Sequence, residues 1–263
     1  MTDLTGHAAL ITGSSKGVGR AITEAYARAG CHVVVHGRQD SDEAKAVVAA
    51  CEAPGVRASF VGGDLSGPTA AAVEQVFASA IDIEPELDIL VNNAGQYFDS
   101  PFLEMDLERF EKTMRLNVAS GYFLTQRFSR HWIQNQVAGR VLMIGSINGR
   151  LAEPVSTAYD ASKGAVEMMV KTLCVALAPH NIRVNGLAPG FVWSHATAWA
   201  QENTVAADWL MHHTPNGRIP SADVCGGGAV YLVSDAAEHV HGHMLLVDGG
   251  MAAWQHPEPQ GTG

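Results

Sequence analysis

The chain has 263 residues, 47% of them apolar, enough to bury a substantial core, and it fits one large α/β domain at least as well as two small ones. Seventeen lysines and arginines against 27 aspartates and glutamates give a formal charge of −10 with no basic run to break the balance, which argues against nucleic acid as a partner. No apolar run is long enough to span a membrane, no signal peptide is evident at the start, and Cys31, Cys51, Cys174 and Cys225 form no C-x-x-C pair, so the expectation is a cytoplasmic protein with reduced, packed thiols.

Ala8-Ala9-Leu10-Ile11 is a short apolar run that ends in the turn Thr12-Gly13-Ser14-Ser15-Lys16-Gly17-Val18-Gly19, and Ala21 to Ala29 then reads as a helix closed by Gly30. Cys31 to His36 reads as a second strand, Asp42 to Glu52 as a helix, and Ala58 to Val61 as a third strand ending near Asp64-Leu65. A helix over Thr69 to Ala80, a strand over Ile89 to Val91, a helix over Leu107 to His131 and a strand over Arg140 to Ile144 follow. After a helix through Tyr159 come strands at Arg183 to Leu187 and Leu245 to Val247. Between these lies Phe191 to Pro215, a variable excursion of mixed helical signal that includes Trp193 and Trp199. Strands alternating with helices predict an α/β fold, a parallel sheet covered on both faces. One domain over 1–254 is expected, with a frayed Pro- and Gly-rich tail over 255–263.

Two features carry chemistry. Gly13, Gly17 and Gly19 sit where a first strand gives way to a first helix, and free N–H groups at such a helix start can hold the diphosphate of a dinucleotide. Tyr159 and Lys163 are one helical turn apart on one face, so an ammonium can sit beneath a phenol and favour its ionised form. Together they point to proton transfer coupled to redox chemistry, an oxidoreductase.

With Asp64 after the third strand, Asn92-Asn93-Ala94-Gly95 after the fourth, Asn117, Ser146, Tyr159, Lys163 and Pro189-Gly190 all in order, the chain resembles the short-chain dehydrogenase/reductase family from about Leu4 to Met251. The resemblance implies a single Rossmann-type doubly wound domain with a central seven-stranded parallel sheet. It implies Tyr159 as general acid in reduction and base in oxidation, Lys163 lowering its pKa and binding nicotinamide ribose hydroxyls, Ser146 bonding the substrate oxygen, and Asn117 anchoring a water next to Lys163. It also implies that the cofactor lies along Gly13, Ser15, Lys16, Gly17, Val18 and Gly19, with Asp64 and Leu65 at the adenine, Asn92, Ala94 and Gly95 alongside, and Pro189, Gly190, Val192 and Ser194 at the nicotinamide; a helix cap is the alternative for Asp64. At the end of the second strand Gly37-Arg38 offers no carboxylate to a ribose 2′-hydroxyl, while Arg38 and Lys16 offer charge to a 2′-phosphate, so NADP(H) is preferred and NAD(H) remains possible.

Gln96, Tyr97, Asn148, Glu153, Trp193 and His195 are candidates for substrate contact, with Arg150 able to join them or to pair with Glu153. Such a polar set favours a small polar substrate, a sugar acid, sugar or polyol. Ile144-Gly145-Ser146-Ile147-Asn148 and the ending Val247-Asp248-Gly249-Gly250-Met251 are similar to the gluconate 5-dehydrogenase branch. A 3-oxoacyl thioester reductase, whose acyl-carrier-protein partner would want a basic docking patch, is the alternative within enzymes, and a nucleotide-binding regulator without turnover is the alternative outside them. His239, His241 and His243 share a face if extended, yet in the family this stretch turns into the last strand, so no metal is expected. The Tyr159 helix is apolar nearly all round, and the family pairs subunits through it, which implies a homotetramer.

Overall fold

The computed structural model describes residues 2–194 and 197–253, so the predicted tail and His195 lie outside the described residues. Strands β1 (Ala8–Ile11), β2 (His32–Gly37), β3 (Ala58–Gly62), β4 (Ile89–Asn92), β5 (Arg140–Ile144), β6 (Arg183–Pro189) and β7 (Met244–Val247) form one sheet in the order β3-β2-β1-β4-β5-β6-β7. Every neighbouring pair is parallel, with Leu10 of β1 in register between Val34 of β2 and Leu90 of β4. The chain winds outward from β1 to β3, returns to β4 and winds out the other way to β7. A crevice opens where that direction reverses, beyond the carboxyl ends of β1 and β4.

The helices are α1 (Gly17–Arg28), α2 (Asp42–Glu52), α3 (Thr69–Ile83), α4 (Leu107–Met114), α5 (Ser120–Asn135), α6 (Thr157–Leu177), α7 (Ala198–Glu202), α8 (Thr204–His212) and α9 (Val224–Val233). Alternate strand residues face opposite sides, so the sheet builds two cores. On one side Leu10, Leu90, Val141 and Met143 pack with Phe77 of α3, Phe128 and Trp132 of α5, and Val170 of α6. On the other, Ile11, Val91, Leu142 and Ile144 pack with Ile22 and Tyr26 of α1, Val47 of α2 and Val230 of α9. Cys31, Cys51 and Cys225 are buried in the second core, Cys174 is half-buried, and all four are free thiols. No helix among the described residues is long and apolar enough to cross a membrane.

Three elements differ from expectation. Helix α1 starts at Gly17, four residues before the apolar pattern begins, because its first turn is built of glycines that carry no hydrophobic signal. The helix predicted over Leu107 to His131 is interrupted at Arg115–Ala119 by a π-helical turn and runs on to Asn135. Asn117 sits in that turn, a wider coil that moves its side chain off the regular helix face. Helix α9 is not among the expected elements, and it holds Gly226-Gly227-Gly228, residues of low helix propensity. Two of these glycines serve close packing: a Cβ on Gly226 would lie 2.7 Å from Ala25 Cβ of α1, and one on Gly228 would lie 3.2 Å from Leu187 Cδ1.

His36, on β2, is 2% exposed, and burial pushes its imidazole down to about 4 from an ordinary 6.5. A group that stays neutral in the folded protein but takes a proton in the unfolded chain contributes fully above pH 6.5. That contribution is lost as the pH falls from 6.5 through about 4. Urea titrations at pH 7.5 and 4.5 are therefore expected to show wild type losing roughly 3 kcal/mol more than His36→Leu over this interval; equal losses would assign the acid sensitivity to other groups.

Candidate active site

The glycine turn is held by polar bonds from both neighbouring strands. Thr12 Oγ1 donates to Val91 O at 3.2 Å and accepts from Asn93 N at 2.9 Å and Ala94 N at 3.0 Å. Asn93 Nδ2 donates to Thr12 O and Gly13 O, both at 2.9 Å. Side chains cannot fit between these segments. A Cβ on Gly13, whose φ is +62°, would lie 2.9 Å from Ala94 Cα, and one on Gly19 would collide with Asn93 Nδ2. Lys16 caps α1 in extended backbone without a side-chain bond, and no acidic residue occupies the first turn, so no side chain among the described residues competes for the N–H groups that open α1. An uncapped helix start behind a glycine turn fits a bound diphosphate.

Around this turn lie the other expected cofactor residues. A Cβ on Gly37 would stand 3.7 Å from Ser15 Oγ, which brings Ser15 against the start of the Arg38 loop. Arg38 and Lys16 are exposed. Asp64 is exposed too, and accepts from Ser66 N at 2.9 Å and Ser66 Oγ at 2.7 Å; these bonds, with Arg38 nearby, hold its carboxyl below the usual range. Asp64 caps no helix, since α3 is capped by Pro68. Leu65 is buried in the core beneath it. Val192 packs with Val18 and Ala21 of α1, and Ser194 reaches within 3.9 Å of a Cβ on Gly17, so the segment after Pro189-Gly190 closes over the glycine turn. Gly190 N donates to Val247 O at 2.9 Å, and a Cβ there would lie 2.7 Å from Asp248.

Tyr159 and Lys163 extend from α6 toward the end of β5. Tyr159 is half-buried and hydrogen-bonded with Ser146; burial dominates, Asp160 and Glu153 add to it, and together they push the phenol up to about 12. Lys163 is 6% exposed, and burial pulls its ammonium down to about 8. The expected lowering of the Tyr159 pKa by Lys163 is not found. Lys163 Nζ donates to Ile144 O at 2.9 Å and lies 5.5 Å from the Tyr159 ring centroid, so one of its three N–H groups is taken by a carbonyl. Asn117 Nδ2 donates to Gln96 O at 2.9 Å and Ser162 Oγ at 3.0 Å, and its Oδ1 accepts from Gln96 N at 2.8 Å. Between Asn92, Asn117, Ser120 and Lys163 is a cavity of about 10 Å³, room for one water, and Asn92 Oδ1 is buried there without a donor among the described residues.

The wall beside Tyr159 is polar. Tyr97 stacks edge-on with Tyr159 at 5.0 Å and donates to Glu153 Oε2 at 3.3 Å, while Ser156 Oγ donates to Tyr97 Oη at 3.0 Å. Asn148 is buried, with its Nδ2 donating to Asp160 Oδ1 at 2.8 Å. Of the two alternatives for Arg150, the pair with Glu153 does not form. Arg150 reaches across to Glu167 of α6 at 2.8 Å, and Glu153 turns to Tyr97 and Ser156. Gln96 Nε2 is buried without an acceptor among the described residues. Trp193 stands farther out, edge-on to Phe191 at 5.7 Å, with its N–H bonded to Pro220 O. Ser156, Ser162 and His36 belong to the site's hydrogen-bond network and were not expected. Ser162 was findable three residues beyond Tyr159, whose carbonyl it bonds at 2.6 Å; the others are tied through space. Among the described residues no group of three His, Cys, Asp or Glu could hold a metal.

Known proteins resemble the chain in sequence and fold. Residues 7–204 match the short chain dehydrogenase family. The chain is 34% identical over 248 residues to gluconate 5-dehydrogenase of Gluconobacter oxydans, covering 94% of this chain and 95% of that one. It is also 34% identical over 252 residues to the 3-oxoacyl-[acyl-carrier-protein] reductase of Synechocystis, covering 95% and 99%. A crystal structure of a gluconate 5-dehydrogenase from Burkholderia cenocepacia, in complex with NADP and tartrate, superposes with a TM-score of 0.89 at 31% identity, covering 96% of this chain and 98% of that one. With a matching sequence over most of its length and the same seven-stranded architecture, the chain belongs to the short-chain dehydrogenase family and is an oxidoreductase.

Proposed function

We propose that the protein interconverts a secondary alcohol and a ketone on a small polyhydroxy substrate, a sugar acid, sugar or polyol, using NADP(H). The observation that carries this is the meeting of Ser146, Tyr159 and Lys163 beside the uncapped start of α1, which lets a nucleotide and a polar substrate share one crevice. When bound, the nicotinamide supplies or accepts a hydride. The N–H groups of the glycine turn would hold the diphosphate, Arg38 and Lys16 the 2′-phosphate, Asp64 and Leu65 the adenine, Val192 and Ser194 the carboxamide, and Lys163 the ribose hydroxyls.

In reduction, Ser146 Oγ would donate to the substrate carbonyl oxygen and hold it against Tyr159. The phenol, held protonated at neutral pH by its burial, is in the state a general acid needs, and it gives its proton to the forming alkoxide. In oxidation the phenolate form of Tyr159 would take the proton of the substrate hydroxyl. Asn117 shapes the water-sized cavity beside Lys163 through which a proton could be replenished. The polyhydroxy substrate is favoured by the wall of Tyr97, Glu153, Ser156 and Asn148, and by the relatives named gluconate 5-dehydrogenase. The Synechocystis relative keeps a 3-oxoacyl thioester as the second candidate. The test is a kinetic screen with both cofactors over sugar acids, sugars, polyols and β-keto thioesters. Turnover confined to the thioesters would overturn the substrate class, and cofactor binding with no turnover at all would favour a regulator.

We also infer self-association as a homotetramer of single-domain subunits. Leu103, Leu107, Phe123, Met168 and Val175 leave apolar surface exposed on and before α4, α5 and α6. Three outcomes follow. Tyr159→Phe should lower turnover by about 10²–10⁴-fold while the Kd for NADPH, read by fluorescence titration, stays near wild type. Arg38→Asp should raise the KM for NADPH by about 10–100-fold and move the cofactor ratio toward NADH; an unchanged ratio would remove Arg38 from cofactor choice. Light scattering should give the mass of four chains, and the mass of one would contradict the assembly.

A further inference from the structure

We propose that His36 is a positioning residue for the cofactor: its imidazole Nδ1, by accepting from Gly13 N at 3.1 Å, holds the glycine turn in the shape that receives the diphosphate. The proposal rests on the reading that this turn binds NADP(H). His36 grips the turn at three points. Ser14 N donates to His36 O at 2.9 Å, and His36 N donates to Ser14 Oγ at 3.0 Å, which in turn donates to Ile11 O at 2.7 Å. Any residue at position 36 would supply the two backbone contacts. Only a side-chain acceptor at the place of Nδ1 satisfies the Gly13 amide, which the positive φ of Gly13 turns toward β2 and away from the strand ladder.

The chemistry of the ring fits this role better than simple filling. Gly13 N is a donor, so Nδ1 carries no hydrogen and the neutral ring bears it on Nε2. That second nitrogen is buried facing the Gly63 backbone, which favours its hydrogen but is not met at full hydrogen-bonding geometry, 3.7 Å from where a Cβ on Gly63 would lie. The ring thus spans from the turn after β1 to the turn after β3 that carries Asp64 and Leu65, the two sides of the nucleotide crevice. An apolar side chain would fill the space without an orphaned N–H, so packing alone does not account for histidine here. Burial keeps the ring neutral, and therefore an acceptor, across the physiological range.

Asparagine places its amide oxygen where Nδ1 stands, glutamine carries its amide out to the position of Nε2, and leucine offers no acceptor. His36→Leu and His36→Gln are expected to raise both the Kd for NADPH by fluorescence titration and its KM about tenfold, with kcat changed less than twofold. His36→Asn should restore both to within about threefold. In the cofactor-free protein, hydrogen exchange at the Gly13 amide should speed up in the leucine and glutamine variants and not in the asparagine one. Should the leucine variant fail to fold, the glutamine and asparagine pair gives the same comparison. Wild-type Kd in the glutamine variant, or an asparagine variant as impaired as the glutamine one, would overturn the proposal while leaving NADP(H) binding intact. Failure of the wild-type protein to bind NADPH would overturn both.

Discussion

Thr12 is the hinge pin of the crevice. Its hydroxyl donates to β4 and accepts from two amides of the turn after β4, while Asn93 returns two bonds to the turn after β1. The two loops at the point where the sheet reverses direction therefore cannot separate without leaving several buried or half-buried polar groups unpaired, each costing about 1–3 kcal/mol. Everything functional is positioned from this lock. The start of α1 is aimed by Gly13 and Gly19, which the lock presses against Ala94 and Asn93. Gly95 lies against Asn117, the residue of the π-helical turn whose bonds to Gln96 fix the floor of the crevice.

Burial acts on Tyr159 and Lys163 in opposite directions on the pKa scale and in the same direction chemically. It disfavours the charged form of each, pushing the phenol up to about 12 and the ammonium down to about 8. In the isolated chain burial thus disfavours ionisation of both groups, and the ammonium donates to Ile144 O. Ionising the phenol needs a counterweight to desolvation. Ser146 supplies part of it, and Asp160 and Glu153 oppose it. Helical spacing tells which residues share a face, but the sign of their electrostatic effect on one another depends on depth and on competing acceptors, which spacing does not contain.

The same distinction separates what was legible from what was not. Strands β1, β2 and β5 read correctly because each is a run of residues buried on two faces, and the glycine turn read correctly because its residues demand a particular backbone. Helix α9 was hidden because two of its glycines serve packing, Gly226 against Ala25 of α1 and Gly228 against Leu187 and Leu245 of the sheet, a requirement of neighbours that a local reading of the segment does not contain. The π-helical turn was hidden because a single wide turn barely disturbs the hydrophobic period. Glu167 was not weighed as the partner of Arg150 because Glu153 is near in sequence, while Glu167, on α6, is near in space.

The substrate wall is where these limits matter most. Tyr97, Glu153 and Ser156 satisfy one another before any ligand arrives, and a second carboxylate, Asp99, lies within 3.4 Å of Ser156 Oγ. A hydroxyl entering beside Tyr159 must exchange with bonds already made, so the gain comes from geometry and not from filling unmet need. Two carboxylates on that wall, with Arg150 neutralised by Glu167, give it a local negative field. Hydroxyl groups can donate into such a field, whereas an anionic group is repelled by it.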